Sequence, residues 1–249
     1  MSMIDQNRPA DRMQGYFITG TDTGVGKTLV AAGLLRAASG RGLSTIGIKP
    51  VAAGWLPGPD GAQVNEDALE LRSASSIDID IATVNPIALE EPIAPHIAAT
   101  RSGMRIHKDE LVRHCRSVCR DYSPQCVVVE GAGGWAVPLN ETETMADFCV
   151  ALGFPVIVVI GMKLGCLNHA LLTVRAVHDA GLTVAGWVAN CTEPEMAVFE
   201  ENLQSLCDRL SAPLLGVIPY QGKTVTADRA AEYLQLDLLM GDLLTGDGA

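Results

Sequence analysis

The triplet Gly26-Lys27-Thr28 follows a short apolar run that begins at Tyr16 and a turn that bears glycine. Backbone N–H groups in such a turn converge on a polyanion, and a helix that starts near Gly26 adds unpaired donors and the positive end of its dipole. The Lys27 ammonium would reach the β- and γ-phosphates, and the Thr28 hydroxyl would ligate Mg²⁺. The pattern therefore predicts a loop that binds a nucleoside triphosphate with Mg²⁺. The loop residues assigned to the nucleotide are Gly24, Val25, Gly26, Lys27 and Thr28.

This loop departs from the usual G-x-x-x-x-G-K-[ST] pattern at its first glycine. Position 21 is Thr21, and the glycine stands one residue earlier, at Gly20. A Gly-Lys-Thr triplet that stands by chance at a helix start is the alternative interpretation. The strand, turn and helix that surround the triplet favour the phosphate-binding loop.

Three further polar residues stand where apolar strands are predicted to end, namely Lys49, Glu130 and Asn190. Ligands of a parallel sheet sit at the carboxyl ends of its strands, so these side chains are expected to converge beside the loop. A carboxylate such as Glu130 would face Mg²⁺, and a second cation such as Lys49 would stabilise an anionic substrate or a transferred phosphoryl group.

Each of these residues also has a purely structural interpretation. Lys49 could be a surface lysine whose stem lies along the protein, and Glu130 could be a solvated strand end. Asp67 stands at a predicted helix start, where the helix dipole alone favours aspartate. His96 and His169 have no metal-like partner at helical spacing, and structural roles are predicted for them.

The elements that must position these residues alternate regularly between apolar runs and helical stripes. This alternation predicts right-handed βαβ units, hence a single-domain α/β fold of the P-loop NTPase type with a doubly wound, mostly parallel sheet and helices on both faces. The first predicted strand runs from Tyr16 to residue 20, and the others cover 44–51, 126–130, 155–160, 183–189 and 214–218. The predicted helices cover 29–39, a short segment that starts at Asn65, 106–122, 144–152, 167–180, 195–210 and 227–234. The segment 83–101 is predicted to be irregular, and 54–61 to be a functional loop.

One domain is predicted over residues 15–240, with a flexible N-terminal extension over 1–14 and a flexible tail over 241–249. The formal net charge of −11 argues against nucleic acid or an anionic membrane as a partner, and a small molecule fits better. No apolar run reaches membrane-spanning length, and the polar first residues do not resemble a secretory signal.

The cysteines number seven, at irregular spacing and without a C-x-x-C pair. Cys115 and Cys119, with His114 beside them, could hold a metal, although free thiols are the preferred interpretation. An odd count of free thiols predicts a cytoplasmic location.

Together the motifs resemble the dethiobiotin synthetase family. The resemblance runs from residue 15 to about 220, and the stretches that carry it are Gly20-Thr21-Asp22-Thr23-Gly24-Val25-Gly26-Lys27-Thr28, Lys49-Pro50-Val51, Asn65-Glu66-Asp67-Ala68-Leu69, Ala82-Thr83-Val84-Asn85-Pro86, Glu91-Pro92 with Pro95-His96, Val129-Glu130-Gly131-Ala132-Gly133-Gly134-Trp135, Lys163-Leu164-Gly165-Cys166-Leu167-Asn168-His169-Ala170 and Gly186-Trp187-Val188-Ala189-Asn190. The resemblance implies that ATP, CO₂ and 7,8-diaminononanoate (7,8-diaminopelargonate) give dethiobiotin, ADP and phosphate through a carbamate and a phosphorylated carbamate.

The resemblance also implies roles for individual residues. Lys27, Lys49 and Thr23 would be catalytic, with Lys49 at the carbamate. The metal ligands would be Thr28, Asp67 and Glu130; the nucleotide would be bound by the loop with Glu130, Asn190 at the adenine edge and Pro219; and the substrate would be contacted by Thr23, Lys49, Ala53, Gly133 and Asn168. Asn168 lies in a helix start that binds the distant substrate carboxylate across a dimer interface in the family, which implies a homodimer.

Two positions depart from the family pattern. Position 24 is Gly24 where some members carry Glu, and position 53 is Ala53 where Ser or Thr commonly contacts substrate. Water could replace the missing hydroxyl at position 53. Neither departure removes a group that the chemistry requires.

Three other functions compete with this one. A regulatory ATPase that positions septa or partitions plasmids would carry a signature lysine five residues before Lys27, where this chain has Asp22. An amide-forming synthetase would usually add a glutaminase domain, which this length does not accommodate. A nucleotide-binding module without chemistry leaves Lys49 and Glu130 unexplained.

Overall fold

Our computed structural model describes residues 13–58, 63–222 and 225–244. The strands of this part of the chain are β1 (Gln14–Gly20), β2 (Thr45–Ile48), β3 (Val51–Ala53), β4 (Leu56–Pro57), β5 (Gln63–Val64), β6 (Ile87–Leu89), β7 (Cys126–Glu130), β8 (Val156–Gly161), β9 (Val184–Asn190) and β10 (Leu214–Ile218). The helices are α1 (Lys27–Gly40), α2 (Glu66–Ala74), α3 (Ile81–Val84), α4 (Pro95–Arg101), α5 (Lys108–Tyr122), α6 (Met145–Leu152), α7 (Cys166–Asp179), α8 (Phe199–Cys207), α9 (Ala227–Ala231) and α10 (Asp237–Leu244).

Six strands form a parallel sheet in the order β10-β9-β8-β1-β7-β2. The crossover through α1 carries the chain from β1 toward β2, whereas the crossovers from β7 to β8, β9 and β10 run the opposite way. Right-handed connections therefore place α1 on one face and α6, α7 and α8 on the other. This confirms the predicted doubly wound α/β fold, and the direction changes at β1, from which the phosphate-binding loop emerges.

The core lies between the sheet and both helix layers. The central strands β7 and β8 are buried at every position, as continuous Val- and Ile-rich runs predict for parallel strands covered on both faces. Phe17 of β1 and Phe148 of α6 meet edge to face, with ring centroids 5.7 Å apart. The sheet is thus a rigid base for the residues at its carboxyl edge.

Several predicted boundaries change in the structure. The strand predicted over 44–51 divides at Pro50, which has no N–H for the ladder, so β3 leaves the central sheet and pairs with β6. The segment predicted to be irregular contains α3, β6 and α4. The helix predicted from residue 195 starts at Phe199, after Val198 in a left-handed conformation (φ 49°), and the last predicted helix ends at Ala231.

Helix α10 was not predicted, and it continues past residue 241, where the tail was expected to begin. Leu236 and Met240 are buried, and the Tyr16 hydroxyl donates a hydrogen bond to the carbonyl of Leu239. This tertiary packing stabilises a helix that the local sequence does not predict. Residues 1–12 of the predicted extension over 1–14, the loop residues 59–61 and the tail residues 245–249 lie outside the described residues. Gln14, at the end of that extension, already belongs to β1, and the one-domain boundaries stay a prediction.

All seven cysteines are free thiols in the structure, and they differ in exposure. Cys207 is exposed, whereas Cys115, Cys126, Cys149 and Cys166 are buried. His114 contacts the carbonyl of Thr83 through Nε2, and the described residues contain no metal-like cluster of His, Cys, Asp and Glu. None of the described helices has the length and apolar character needed to cross a bilayer.

This difference in exposure predicts selective thiol labelling. With a disulfide reagent at pH 8, we expect one thiol, Cys207, to react rapidly in the native protein and all seven to react in denaturant. Burial raises the pKa of Cys126 to about 12, so its thiolate is scarce at that pH. Replacement of Cys207 with serine should remove the rapid phase. Rapid native labelling of Cys126 would contradict the buried position of β7.

Candidate active site

The ammonium of Lys49 lies between two carboxylates at the carboxyl edge of the sheet. Its Nζ is 2.5 Å from Glu130 Oε1 and 3.1 Å from Asp67 Oδ2. Lys49 is 4% exposed and Glu130 is 1% exposed. The prediction that Lys49 and Glu130 converge beside the loop is therefore confirmed, and the alternative of a surface lysine is excluded.

The backbone around Lys49 is fixed from two sides. Its N–H donates to the carbonyl of Val84, at 2.9 Å, and the buried Asn85 side chain donates to the Lys49 carbonyl, at 2.7 Å. Pro50 then ends β2 and turns the chain out of the central sheet. Lys49 thus stands at the end of the sheet with little freedom to move its backbone.

Asp67 reaches the site from the first turn of α2. The side chain of Asn65 accepts hydrogen bonds from the N–H groups of Asp67 and Ala68, which is the usual geometry of a helix N-cap. The same Asn65 donates to the carbonyl of Gly54, at 2.8 Å. The cap therefore fixes the end of α2 that carries Asp67 next to Lys49.

The phosphate-binding loop lies directly beside this cluster. Lys27 is 6% exposed, and its ammonium donates to the carbonyl of Asp22, at 3.2 Å. The Thr28 hydroxyl donates to Glu130 Oε1, at 3.0 Å. Two cations, two carboxylates and one hydroxyl therefore meet in one place, and they come from β2, α2, β7 and the start of α1.

The charges of this cluster depend on one another. Burial opposes the charge on Lys49, but the carboxylates of Glu130 and Asp67 outweigh it and raise the pKa of Lys49 above its ordinary value. Burial likewise opposes the charge on Asp67, whose pKa is nevertheless lowered by Lys49. Burial lowers the pKa of Lys27, and the attraction of Glu130 only partly compensates. Lys49 and Asp67 are consequently both ionised at neutral pH.

The oxygen atoms of Thr28, Asp67 and Glu130 fit a magnesium ion. Mg²⁺ that binds with a nucleotide takes one or two carboxylates and completes its shell with phosphate oxygens and water, so a cluster of three acidic or imidazole ligands is not needed. Glu130 Oε2 is buried and has no hydrogen-bond partner among the described residues. A buried carboxylate oxygen without a partner is costly unless a ligand satisfies it.

Three further residues, Thr23, Gly133 and Ala53, are predicted to contact the substrate. Thr23 is exposed in the loop, and a Cβ added to Gly133 would be 3.6 Å from its Oγ1, so these two predicted substrate residues are neighbours. Ala53 is the last residue of β3, three residues after Pro50, and it directly precedes Gly54. Ala53 pairs with Leu89 of β6.

Asn168 and Pro219 are both exposed, and each follows a strand of the central sheet. Asn168 lies in the first turn of α7, which follows β8, and Pro219 directly follows β10. The N–H of Cys191, which follows Asn190, donates to the carbonyl of Ile218, so the segment after β10 runs beside the end of β9. The structure therefore places both residues at the carboxyl edge of the sheet.

Asn190 lies beside the phosphate-binding loop, as its place at a strand end predicts, and its side-chain amide contacts the loop backbone at Val25. The Val25 side chain is 2% exposed, so only its backbone is available to a ligand. The side-chain Nδ2 of Asn190 donates to the Val25 carbonyl, at 2.8 Å. Asn190 therefore contacts the phosphate-binding loop itself.

Three other residues support the site without having been predicted to do so. Asn85 holds the Lys49 carbonyl, and its only sequence signal is a polar residue before Pro86. Asp22 accepts from Lys27 through its carbonyl, and its carboxylate pairs with Lys163 Nζ, at 3.4 Å. The acidic residue at position 22, where the regulatory ATPases carry a lysine, is a sequence signal for Asp22. No local pattern identifies Lys163 as its partner.

Solved structures with a similar fold include two proteins that were solved with a bound adenine nucleotide or its analogue. The septum site-determining protein MinD from Pyrococcus horikoshii, solved with Mg-ADP, aligns with a TM-score of 0.54 at 14% identity over 91% of this chain and 88% of that chain. Cobyrinic acid a,c-diamide synthase from Mycobacterium smegmatis, solved with an ATP analogue and magnesium, aligns with a TM-score of 0.55 at 17% identity over 95% and 97% of the two chains. At these identities the likeness shows the fold alone, and it confirms the P-loop NTPase architecture.

Sequence comparison is more specific. A family model described as an AAA domain matches residues 14–228. The ATP-dependent dethiobiotin synthetase BioD of Cellvibrio japonicus is 50% identical over 91% of this chain and 98% of its own length, and BioD 1 of Escherichia coli (strain K12) is 44% identical over 90% and 98%. With this degree of identity over nearly the whole length of both relatives, the chain belongs to the dethiobiotin synthetase family.

Proposed function

We propose that this chain forms dethiobiotin from 7,8-diaminononanoate, CO₂ and ATP. Beyond family membership, one observation carries the proposal: the buried ammonium of Lys49 stands beside Glu130 and Asp67 and next to the phosphate-binding loop. A nucleotide-binding module would not need a second buried cation there. A reaction that builds negative charge at the γ-phosphate would need it.

The proposed reaction has three steps. One amine of the substrate attacks CO₂ and loses a proton, which gives a carbamate. A carbamate oxygen takes the γ-phosphoryl group from ATP, which releases ADP and gives a mixed anhydride. The second amine then attacks the carbamate carbon and loses a proton as phosphate leaves, which closes the cyclic urea.

The loop and the two carboxylates would hold the nucleotide. Lys27 would contact the β- and γ-phosphates, while Thr28, Asp67 and Glu130 would hold Mg²⁺. The bound ion would neutralise charge on the phosphates during transfer. With the ion in place, the Lys49 ammonium would be available to an anionic carbamate.

The substrate would lie beside the phosphate-binding loop and the strand that follows Lys49. Thr23 and Gly133 are neighbours at the mouth of the loop, and we assign both to the substrate and the transferred phosphoryl group. Ala53, on the strand after Lys49, would contact the substrate without a hydroxyl. Asn190 and Pro219, at the ends of β9 and β10, would bind the base.

We further propose that the chain forms a homodimer in which Asn168 binds the substrate carboxylate of the partner subunit's site. The support is the exposed apolar surface around the start of α7. Leu164 is 96% exposed and Leu172 is 60% exposed. Apolar side chains this exposed are common at interfaces between subunits.

The dimer proposal predicts a change of mass in solution. The variant Leu164→Glu/Leu172→Glu should sediment as one chain where the wild type sediments as two, because charges in an apolar interface oppose association. Leu56→Glu, at an exposed apolar position on β4, is the matched control and should leave the mass unchanged. A wild-type protein that sediments as one chain at assay concentration would contradict the dimer.

Three further proposals concern the chain as a whole. The free thiols support a cytoplasmic location, where cysteines stay reduced. The one sheet and its two helix layers support a single domain over residues 15–240. ATP, CO₂ and the diamine are the proposed partners, and the net charge of −11 makes a nucleic acid or an anionic membrane a poor one.

The function is tested by phosphate release from ATP and Mg²⁺ in the presence of bicarbonate. We expect 7,8-diaminononanoate to stimulate release by at least about 10²-fold, because only the carbamate provides the acceptor for the γ-phosphoryl group. The product should have the mass of dethiobiotin. A diamine that lacks the carboxylate is the control and should stimulate less. Phosphate release that is indifferent to the diamine would contradict the proposal and favour a regulatory ATPase.

A further inference from the structure

The phosphate-binding loop is anchored to the sheet by Val25. Its side chain lies between the ends of two neighbouring strands, β1 and β8. A Cβ added to Gly20 would lie 2.6 Å from Val25 Cγ2, and one added to Gly161 would lie 2.8 Å from Val25 Cγ1. Both strands therefore end in a residue without a side chain, and Val25 fills the space between them.

The carbonyl of the same residue is held by Asn190. The Asn190 side chain is 5% exposed, and its Nδ2 donates to the Val25 carbonyl, at 2.8 Å. Because a carbonyl can only accept, this contact fixes which end of the amide faces the loop. The amide also lies against Gly26, where an added Cβ would be 2.1 Å from Nδ2.

We propose that Asn190 is a positioning residue for phosphate binding, in addition to its proposed contact with the base. Lys27 and Thr28 directly follow the turn that Asn190 holds, so a shift of Val25 and Gly26 would displace the Lys27 ammonium and the Thr28 hydroxyl. The affinity for the phosphates would then depend on Asn190 even when the ligand has no base. This inference rests on the proposed nucleotide site but not on the diamine reaction.

Tripolyphosphate, which has the three phosphates of ATP and no base, separates the two roles. The test is to measure by calorimetry the binding of Mg-ATP and Mg-tripolyphosphate to the full chain, for the wild type and for Asn190→Leu. Leucine has nearly the shape of asparagine and lacks the donor. We expect both ligands to bind about tenfold more weakly, which is the effect of one lost hydrogen bond. Cys191→Ala, at the next position, should bind tripolyphosphate as the wild type does.

Three outcomes would overturn the positioning role. They are a loss of ATP affinity with tripolyphosphate unaffected, a variant that binds both ligands normally, and a wild type that binds neither ligand. The last outcome would also overturn the proposed nucleotide site, whereas the first would leave the proposed function intact. If Asn190→Leu does not fold, as judged by its thermal transition, Asn190→Ser is measured against the same two ligands and the same criteria.

A double-mutant cycle with Val25→Ala gives an independent readout. This substitution shortens the side chain between β1 and β8 but keeps the carbonyl that Asn190 holds. If both residues act through one loop position, their effects on tripolyphosphate affinity should be non-additive, with the double variant weaker than the wild type by less than the product of the single effects. Additive effects would overturn the shared anchor.

Discussion

Replacement of Lys49 with methionine is expected to lower kcat for diamine-dependent phosphate release by about 10²–10³-fold. Methionine fills most of the space of the lysine stem and removes only the positive charge. The charge that develops on the transferred phosphoryl group and the carbamate would then lose its nearest buried cation besides Lys27. The measurement is single-turnover phosphate release with saturating ATP, bicarbonate and diamine.

The same substitution should also reduce stability, since it leaves Glu130, which is 1% exposed, without its cation. Removal of one partner of a buried ion pair costs about 3–5 kcal/mol in the free energy of unfolding. The double variant Lys49→Met/Glu130→Gln removes both charges and should recover most of that loss while remaining inactive. A double variant that regains both stability and turnover would contradict the catalytic role of Lys49.

The stability measurement should be made at neutral pH, where Lys49 and Asp67 both carry their charges. The pKa of Lys49 is raised in the folded protein, so its contribution is complete below the ordinary lysine value of about 10.4 and is lost as the pH rises through the folded value. The pKa of Asp67 is lowered, so its contribution is complete above about pH 4 and is lost as the pH falls through the folded value.

The sequence was sufficient to predict the charged cluster, whose members stand at element ends. Lys49 and Glu130 terminate apolar runs, and the carboxyl ends of parallel strands meet at one edge whatever the order of the strands. Asp67 follows a capping asparagine, which fixes the helix start, but only the resemblance to the family assigns it to the site. Local patterns that mark strand ends therefore predict Lys49 and Glu130.

The contacts around the cluster could not be predicted in this way. The hydrogen bond from Asn190 to Val25 joins residues far apart in the chain, and it depends on which strands are neighbours of β1. The pairing of Asp22 with Lys163 depends on β8 lying next to β1. Strand order is set by the packing of the whole sheet. Residues that hold other residues in place across neighbouring strands therefore cannot be predicted from local sequence patterns.

Replacement of Gly26 with alanine is expected to lower kcat/KM by at least about 10²-fold, because displacement of a catalytic group by about 1 Å has an effect of that size. Gly26 has φ 88°, a left-handed conformation that costs alanine about 1–2 kcal/mol. Its added Cβ would also lie 2.1 Å from Nδ2 of Asn190, so the loop or the strand end would have to shift. The measurement is the diamine-dependent rate over a range of ATP concentrations.

Gly24→Ala is the matched control, since it carries the same kind of strain without the clash. Gly24 has φ 73°, and no heavy atom lies within 4 Å of its added Cβ. Only the cost of the left-handed conformation remains there, so we expect a loss of about tenfold or less. The difference between the two variants then measures the effect of the contact with Asn190, apart from backbone strain. Equal losses in the two variants would mean that strain alone limits substitution in the loop and that the close approach to β9 does not fix the position of Lys27.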